Sequence, residues 1–204
     1  MKRLLPILAL IFVSCSYAKI AEISDPNEVI RSVAIKTSER IDLDAERLKR
    51  EPSYIKVVID EELMPYIDYK YAAYKVMGTH LKDTTEKQRD EFVETFKTYL
   101  VNVYGHMLLE YDQQEIKVLD NRNYEDSSII SVAVHVTDKN GKLTKLAFKL
   151  RKNKRTLEWK VFDVVAEGIS MLSTKQSEIN ELIEKNGIDH VIKLLNEKNS
   201  ELSS

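Results

Sequence analysis

The chain is expected to fold as α+β: a curved antiparallel sheet of about four strands, covered on one face by helices. Three observations predict this. Apolar residues recur every three to four positions up to about Tyr111 and at every second position after Asp112. Asp138-Lys139-Asn140-Gly141 is a strong hairpin signal between two alternating runs. Helical spacing then returns beyond Val165, so the strands are flanked by helices rather than interleaved with them.

From Asn27 to Arg50 the apolar residues Val29, Val33, Ile41, Ala45 and Leu48 predict one helix, started at Asp25-Pro26 and stopped by Glu51-Pro52. A short helix follows through Ile55, Val58, Ile59 and Leu63 to Pro65. Another spans Asp68 to Met77 and ends at Gly78. The longest begins after Thr85, which with Gln88 has the spacing of a capping box, and runs to about Tyr111. Its stripe of Phe92, Phe96, Tyr99, Val103 and Met107 is broadened by Val93, Leu100, Tyr104 and Leu108, more than a surface helix needs.

Glu115 to Leu119 is a short strand. In the next, Ile130, Val132, Val134 and Val136 alternate with Ser131, Ala133, His135 and Thr137. The return strand sets Leu146, Phe148 and Leu150 against Lys145, Lys149 and Arg151. Trp159 to Val165 is apolar on both faces except at Asp163. Helices at Thr174 to Lys185 and Ile188 to Asn196, separated by Gly187, close the chain, and Asn196 to Ser204 is expected to fray.

Residues 1–18 have the pattern of a cleaved export signal: Lys2 and Arg3, then an apolar run from Leu4 to Val13, then Ser16-Tyr17-Ala18 as a small-x-small cleavage site. The run is too short for a permanent membrane helix. The expected mature protein is one domain, residues 19–204, outside the cytoplasm, where ATP and NAD are not ordinary substrates. Cleavage would also remove Cys15, the single cysteine, and with it any disulfide or thiolate chemistry. Phe12-Val13-Ser14-Cys15 is a poor version of a lipid-attachment box, so a soluble exported protein is expected, with tethering through Cys15 as the alternative.

Without residues 1–18 the chain keeps 29 Lys and Arg against 33 Asp and Glu, a net charge of −4 compared with −2 for the full sequence. That balance argues against nucleic acid and against tight adhesion to anionic membrane. The remaining 186 residues suit a single domain with a sizeable core.

The usual catalytic patterns are missing from the sequence. His80, His106, His135 and His190 have no metal-ligand spacing, and there is no HExxH, GxSxG, P-loop or dinucleotide fingerprint. His106 is expected to be a packing or surface residue. Asp163 stands among Phe162, Val164 and Val165, where desolvation would disfavour its charge. A general base and a structural carboxylate are both open, and the structural role is favoured, because a buried carboxylate needs partners whether or not it catalyses. No His or Lys stands beside it in sequence. Tyr66, Tyr69, Tyr71 and Tyr74 crowd one short helix between Met64 and Met77, while Tyr99, Tyr104 and Tyr111 ride on the long one. Such side chains fill either a core or a ligand cavity, and the pattern does not separate the two.

The segment Val57-Val58-Ile59-Asp60-Glu61-Glu62-Leu63-Met64-Pro65-Tyr66 leads to Lys70-Tyr71-Ala72, Gly78, Gln88-Arg89 and Tyr104. At the other end stand Trp159, Asp163, Ala166-Glu167-Gly168-Ile169-Ser170-Met171 and Thr174-Lys175-Gln176. Together these resemble the MlaC family of periplasmic phospholipid carriers, also called toluene-tolerance or ABC-transporter auxiliary proteins, over about Pro26 to Leu195. The resemblance implies a soluble monomeric shuttle in a lipid-asymmetry pathway, with phospholipid as cargo and no cofactor. It implies partners in an outer-membrane lipoprotein–porin complex and an inner-membrane MCE-domain ABC transporter. The resemblance also implies the architecture of an NTF2-like cone, the sheet and helices enclosing an apolar pocket that holds the acyl tails.

Physics supports enclosure. Each methylene kept from water is worth about 0.8 kcal/mol, so an exposed sixteen-carbon tail would cost on the order of 12 kcal/mol. By alternation, the candidate lining from the sheet is Val132, Val134, Val136, Leu146, Phe148, Leu150, Phe162 and Val164, on a face turned to the long helix. From the helices come Met64, Tyr69, Met77, Phe96, Leu100, Tyr104 and Met107. Two readings of other classes stay open: an NTF2-like enzyme using Asp163, and a lipidated envelope scaffold anchored by Cys15.

Overall fold

The computed structural model describes residues 25–109, 114–120, 124 and 127–202. The export signal, the Cys15 alternative and Tyr111 lie outside them. Seven α-helices and five strands are described: α1 Pro26–Leu43, α2 Ala45–Arg50, α3 Ile55–Glu62, α4 Tyr69–Met77, α5 Glu86–Leu109, β1 Glu115–Leu119, β2 Ile129–Thr137, β3 Leu143–Lys152, β4 Trp159–Ala166, β5 Ile169–Ser170, α6 Met171–Asn186 and α7 Ile188–Glu201. The strands form one antiparallel sheet in chain order, β1-β2-β3-β4-β5. The fifth strand was not expected. Two residues are too few to show alternation, and only their pairing with Val165 and Ala166 defines them.

Local signals explain most boundaries. The Asp25 side chain accepts from the Asn27 N–H at 2.8 Å, with Pro26 in the first helical position. The capping box forms as predicted: the Gln88 N–H donates to Thr85 Oγ1 at 3.2 Å, and the Thr85 N–H donates to Gln88 Oε1 at 2.9 Å. At the hairpin, Asp138 Oδ1 accepts from the N–H groups of Asn140 and Lys142, and Gly141 takes φ 78°.

Three boundaries correct the sequence expectation. The helix predicted from Asn27 to Arg50 breaks at Asp44, a poor interior helix residue whose carboxylate is drawn to Arg40 Nε. The same guanidinium reaches Glu61, Glu62 and the Tyr54 hydroxyl, clamping α1 to α3. Helix α6 starts at Met171 rather than Thr174, because the Ser170 hydroxyl accepts from the Ser173 N–H at 3.0 Å. The expected frayed tail is helical to Glu201. Asn199 is buried, donating to the Thr95 carbonyl at 3.1 Å and accepting from Asn102 at 3.3 Å. Asn199→Ala should therefore lower unfolding stability by about 1–3 kcal/mol in urea titration, since Asn102 and the Thr95 carbonyl lose a buried partner. A freely fraying end would show no change.

The turn after α4 depends on Gly78, at φ 58°, ψ −126°. A Cβ there would lie 2.8 Å from Asn180 Oδ1, and the Asn180 amide is already held by the Val76 carbonyl at 2.6 Å. Gly78→Ala is expected to cost about 1–3 kcal/mol through this strained backbone alone, with the clash adding to it. Chemical denaturation measures it, and a neutral result would mean that α4 and α6 can separate here.

The core falls into three clusters. Helices α4, α5, α6 and α7 pack around Val76, Met77, Phe92, Phe96, Ile179 and Val191. Helices α2, α3 and α5 meet at Leu48, Ile55, Val58, Ile59, Met64 and Val101. The third joins Val29 and Ile30 of α1 to Ile130, Val132, Val134, Leu150 and Trp159 of the sheet.

Candidate functional site

Residues opposite one another in an antiparallel ladder share a face. The register sets Val118, Val134, Leu146 and Ala166 in one row across four strands. Val132, Phe148 and Val164 form the next row, and Val136 lies opposite Ile116. One apolar face therefore crosses the sheet, as the alternation predicts.

Only part of that face is covered. Val132, Val134 and Leu150 are at most 1% exposed under α1, whereas Val136, Leu146, Phe148, Val164 and Val118 remain half-buried. Ile116 and Ile169, at its two edges, are exposed. A phenylalanine on the apolar face of an inner strand is normally sealed, so half-buried Phe148 marks an accessible hydrocarbon surface continuous with a dry core. The expectation that this face is turned to the long helix is corrected: α1 packs on it through Val29 and Ile30.

The other predicted lining residues are not all brought to this surface. Phe162 is the extra residue of a β-bulge opposite Lys149 and Leu150. Its ring meets Tyr71 of α4 edge-on at 5.2 Å, and Val161 takes the place that alternation assigned to it. Met77 and Phe96 are buried in the four-helix cluster, with half-buried Leu100 against it. Met64 is buried in the α3 cluster, against which half-buried Tyr104 packs, and Tyr69 touches both helical clusters. Met107 is 62% exposed. Val101, Tyr104 and Leu108 occupy the inward stripe of α5, so Met107, on another side of the helix, faces out.

Asp163 points to the opposite, polar face and is 5% exposed. Its carboxylate accepts from the Ser170 hydroxyl at 2.7 Å and from the Leu172 N–H at 3.0 Å, and pairs with Lys149 Nζ at 3.1 Å. It ties β4 to the start of α6. Lys149 was missed because it lies far away in sequence, yet it is the cross-strand neighbour of Asp163, and the hairpin register could have found it. Burial pushes the Tyr104 phenol up to about 12, with the charges of Asp163 and Tyr99 adding to the effect, so it stays neutral and able to donate.

Among the described residues no group of three or more His, Cys, Asp or Glu side chains could hold a metal ion, and no helix is long and apolar enough to cross a membrane. A depression of about 410 Å³ is lined by Glu91, Asp189, Ile192, Lys193, Asn196, Glu197 and Ser200, too polar to shelter hydrocarbon.

Comparison with known proteins gives the chain its context. A model described as "MlaC protein" matches residues 31–197. The intermembrane phospholipid transport system binding protein MlaC of Haemophilus influenzae is 32% identical over 174 residues, covering 85% of this chain and 81% of that one. The toluene tolerance protein ttg2D of Pseudomonas putida is 27% identical over 165 residues, 80% of this chain and 75% of that one. A phospholipid-binding protein from Ralstonia solanacearum, solved in complex with a phospholipid, superposes with TM-score 0.79 at 21% identity. That likeness of fold covers 88% of this chain and 99% of the solved one.

Proposed function

The chain belongs to the MlaC family, and from that premise we propose that it is a phospholipid carrier that moves lipids between the two membranes of the cell envelope. The observation that carries the site is the half-covered apolar face. Val136, Leu146, Phe148 and Val164 offer hydrocarbon contact beside the sealed core of Val132, Val134 and Leu150. We assign the acyl tails to this face; Tyr69, Leu100 and Tyr104 stay with the helical clusters, and the Tyr104 phenol feels the charge of Asp163 on the other face of the sheet. Met107 and Phe162 are left out of the assignment.

A carrier needs this kind of surface. Acyl tails make no hydrogen bonds, so a site for them gains from area and shape, and convergent polar pairs would only add desolvation cost. Each methylene covered contributes about 0.8 kcal/mol. Family membership makes this a lipid-binding transport protein, and the partners of Asp163 support a brace rather than a base. Its oxygens are committed to Ser170, Leu172 and Lys149.

The working location we propose is the periplasm, after export and cleavage before Lys19, with an inner-membrane MCE-domain ABC transporter and an outer-membrane lipoprotein–porin complex as partners. Intact mass of the exported protein tests the start: a chain beginning at Lys19 supports a diffusing carrier, and a lipidated chain beginning at Cys15 supports a tethered one. Carriage is tested by transfer of a fluorescent phospholipid between donor and acceptor vesicles held apart by a protein-permeable membrane. Transfer that rises with protein concentration is expected, and none at any concentration would contradict the reading.

A further inference from the structure

The polar face of the sheet has a charge distribution that the carrier function does not use. From Lys139 to Lys160 the chain holds nine Lys and Arg and one acid, Glu158, in a sequence whose net charge is −2, and the register puts four of the nine, Lys145, Lys149, Arg151 and Lys160, on this face. Lys117, His135 and Lys145 stand directly opposite one another on three adjacent strands. Like charges so placed destabilise a sheet. Lys117 and Lys145 are exposed and form no ion pair among the described residues, and they lie about 10 Å apart across β2.

The same face differs from one side to the other. Toward β4 its charges are neutralised: Lys149 pairs with Asp163 at 3.1 Å, and Arg151 with Asp68 at 2.7 Å, under α4 and the start of α6. Toward β1 to β3 it is open, with two exposed acids at its margins: Glu115 beyond Lys117, and Glu167, whose Oε1 accepts from the Lys145 N–H at 2.7 Å. Two large aliphatic side chains stand out from this open part, Ile129 at 51% and Leu143 at 45% exposure. They are opposite Arg151 and Thr137 respectively, at the two ends of the β2–β3 ladder, which puts them about 27 Å apart by strand rise.

We propose that this polar face of β1–β3 is a docking surface for an anionic phospholipid bilayer. Lys117 and Lys145 would lie over headgroup phosphates, with Ile129 and Leu143 entering the interfacial layer at either end. Separated single aliphatics with cations between them suit a broad, laterally uniform anionic surface. An acidic protein partner would give the cations a use but would leave both aliphatics without one. The tail-bearing face lies on the other side of the sheet, so docking and carriage use separate residues. The negative net charge limits attraction to short range, which suits a protein that must also leave the membrane.

The test is co-sedimentation of the full exported protein with vesicles of phosphatidylcholine alone and with vesicles containing phosphatidylglycerol. Binding is expected only to the anionic vesicles and should fall as salt rises. Each cation near such a surface contributes about fivefold, so Lys117→Gln with Lys145→Gln should weaken binding roughly 25-fold. Phospholipid extracted from that double variant should match wild type, because neither lysine touches the apolar face. Equal binding to both vesicles, or a double variant that binds like wild type, overturns the proposal. Retention on immobilised poly-glutamate without vesicle binding also overturns it and assigns the face to an acidic protein. A wild-type protein that docks on vesicles but never carries lipid would count against the carrier reading and leave the docking surface standing.

Discussion

Phe148→Asp is expected to give a folded, exported protein without phospholipid, whereas Val134→Asp is expected to unfold it. The two residues lie on the same face of adjacent strands and differ in cover. Val134 is 1% exposed beside Val132 and Leu150, so a carboxylate there has no water and no partner. That costs several kcal/mol, comparable with the whole stability of a domain this size. Phe148 is half-buried, so an aspartate in its place can reach water and the fold can survive. What it cannot do is lie against hydrocarbon. Circular dichroism with lipid extraction checks both variants. A folded Phe148→Asp that still carries wild-type lipid would place the tails elsewhere, and an unfolded one would make that part of the face ordinary core.

The second large effect concerns Asp163. Asp163→Ala should destabilise the protein by about 3–5 kcal/mol, because the Lys149 ammonium, the Ser170 hydroxyl and the Leu172 N–H all lose their acceptor. Asp163→Asn keeps one oxygen for the start of α6 and should cost roughly 1–3 kcal/mol while preserving lipid carriage. Urea titration followed by lipid analysis separates the roles. A stable, folded Asn variant that loses turnover of some small substrate would revive Asp163 as a general base.

The hairpin, the capping box at Thr85 and the apolar face of β2 and β3 were legible in sequence because each depends on residues close together along the chain. Tertiary contacts decided what was not. The kink at Asp44 follows from Arg40 meeting the carboxylates of Glu61 and Glu62 in α3, 21 and 22 positions further along. The bulge in β4 replaces Phe162 by Val161 on the apolar face, and a stretch apolar on both sides gives alternation no means of detecting an inserted residue. Asn199 looked like tail because its partners, Asn102 and Thr95, are on α5. Apolar pattern alone marks what avoids water, so it grouped Met77 and Phe96, which are sealed among helices, with Phe148, which is not.

Extraction and mass spectrometry of lipid from protein purified without detergent tests the central claim most directly. Glycerophospholipid in amounts comparable with the protein, and its loss in a folded Phe148→Asp variant, is the predicted result. A folded wild-type protein free of phospholipid, and unable to take any up from vesicles, would contradict it.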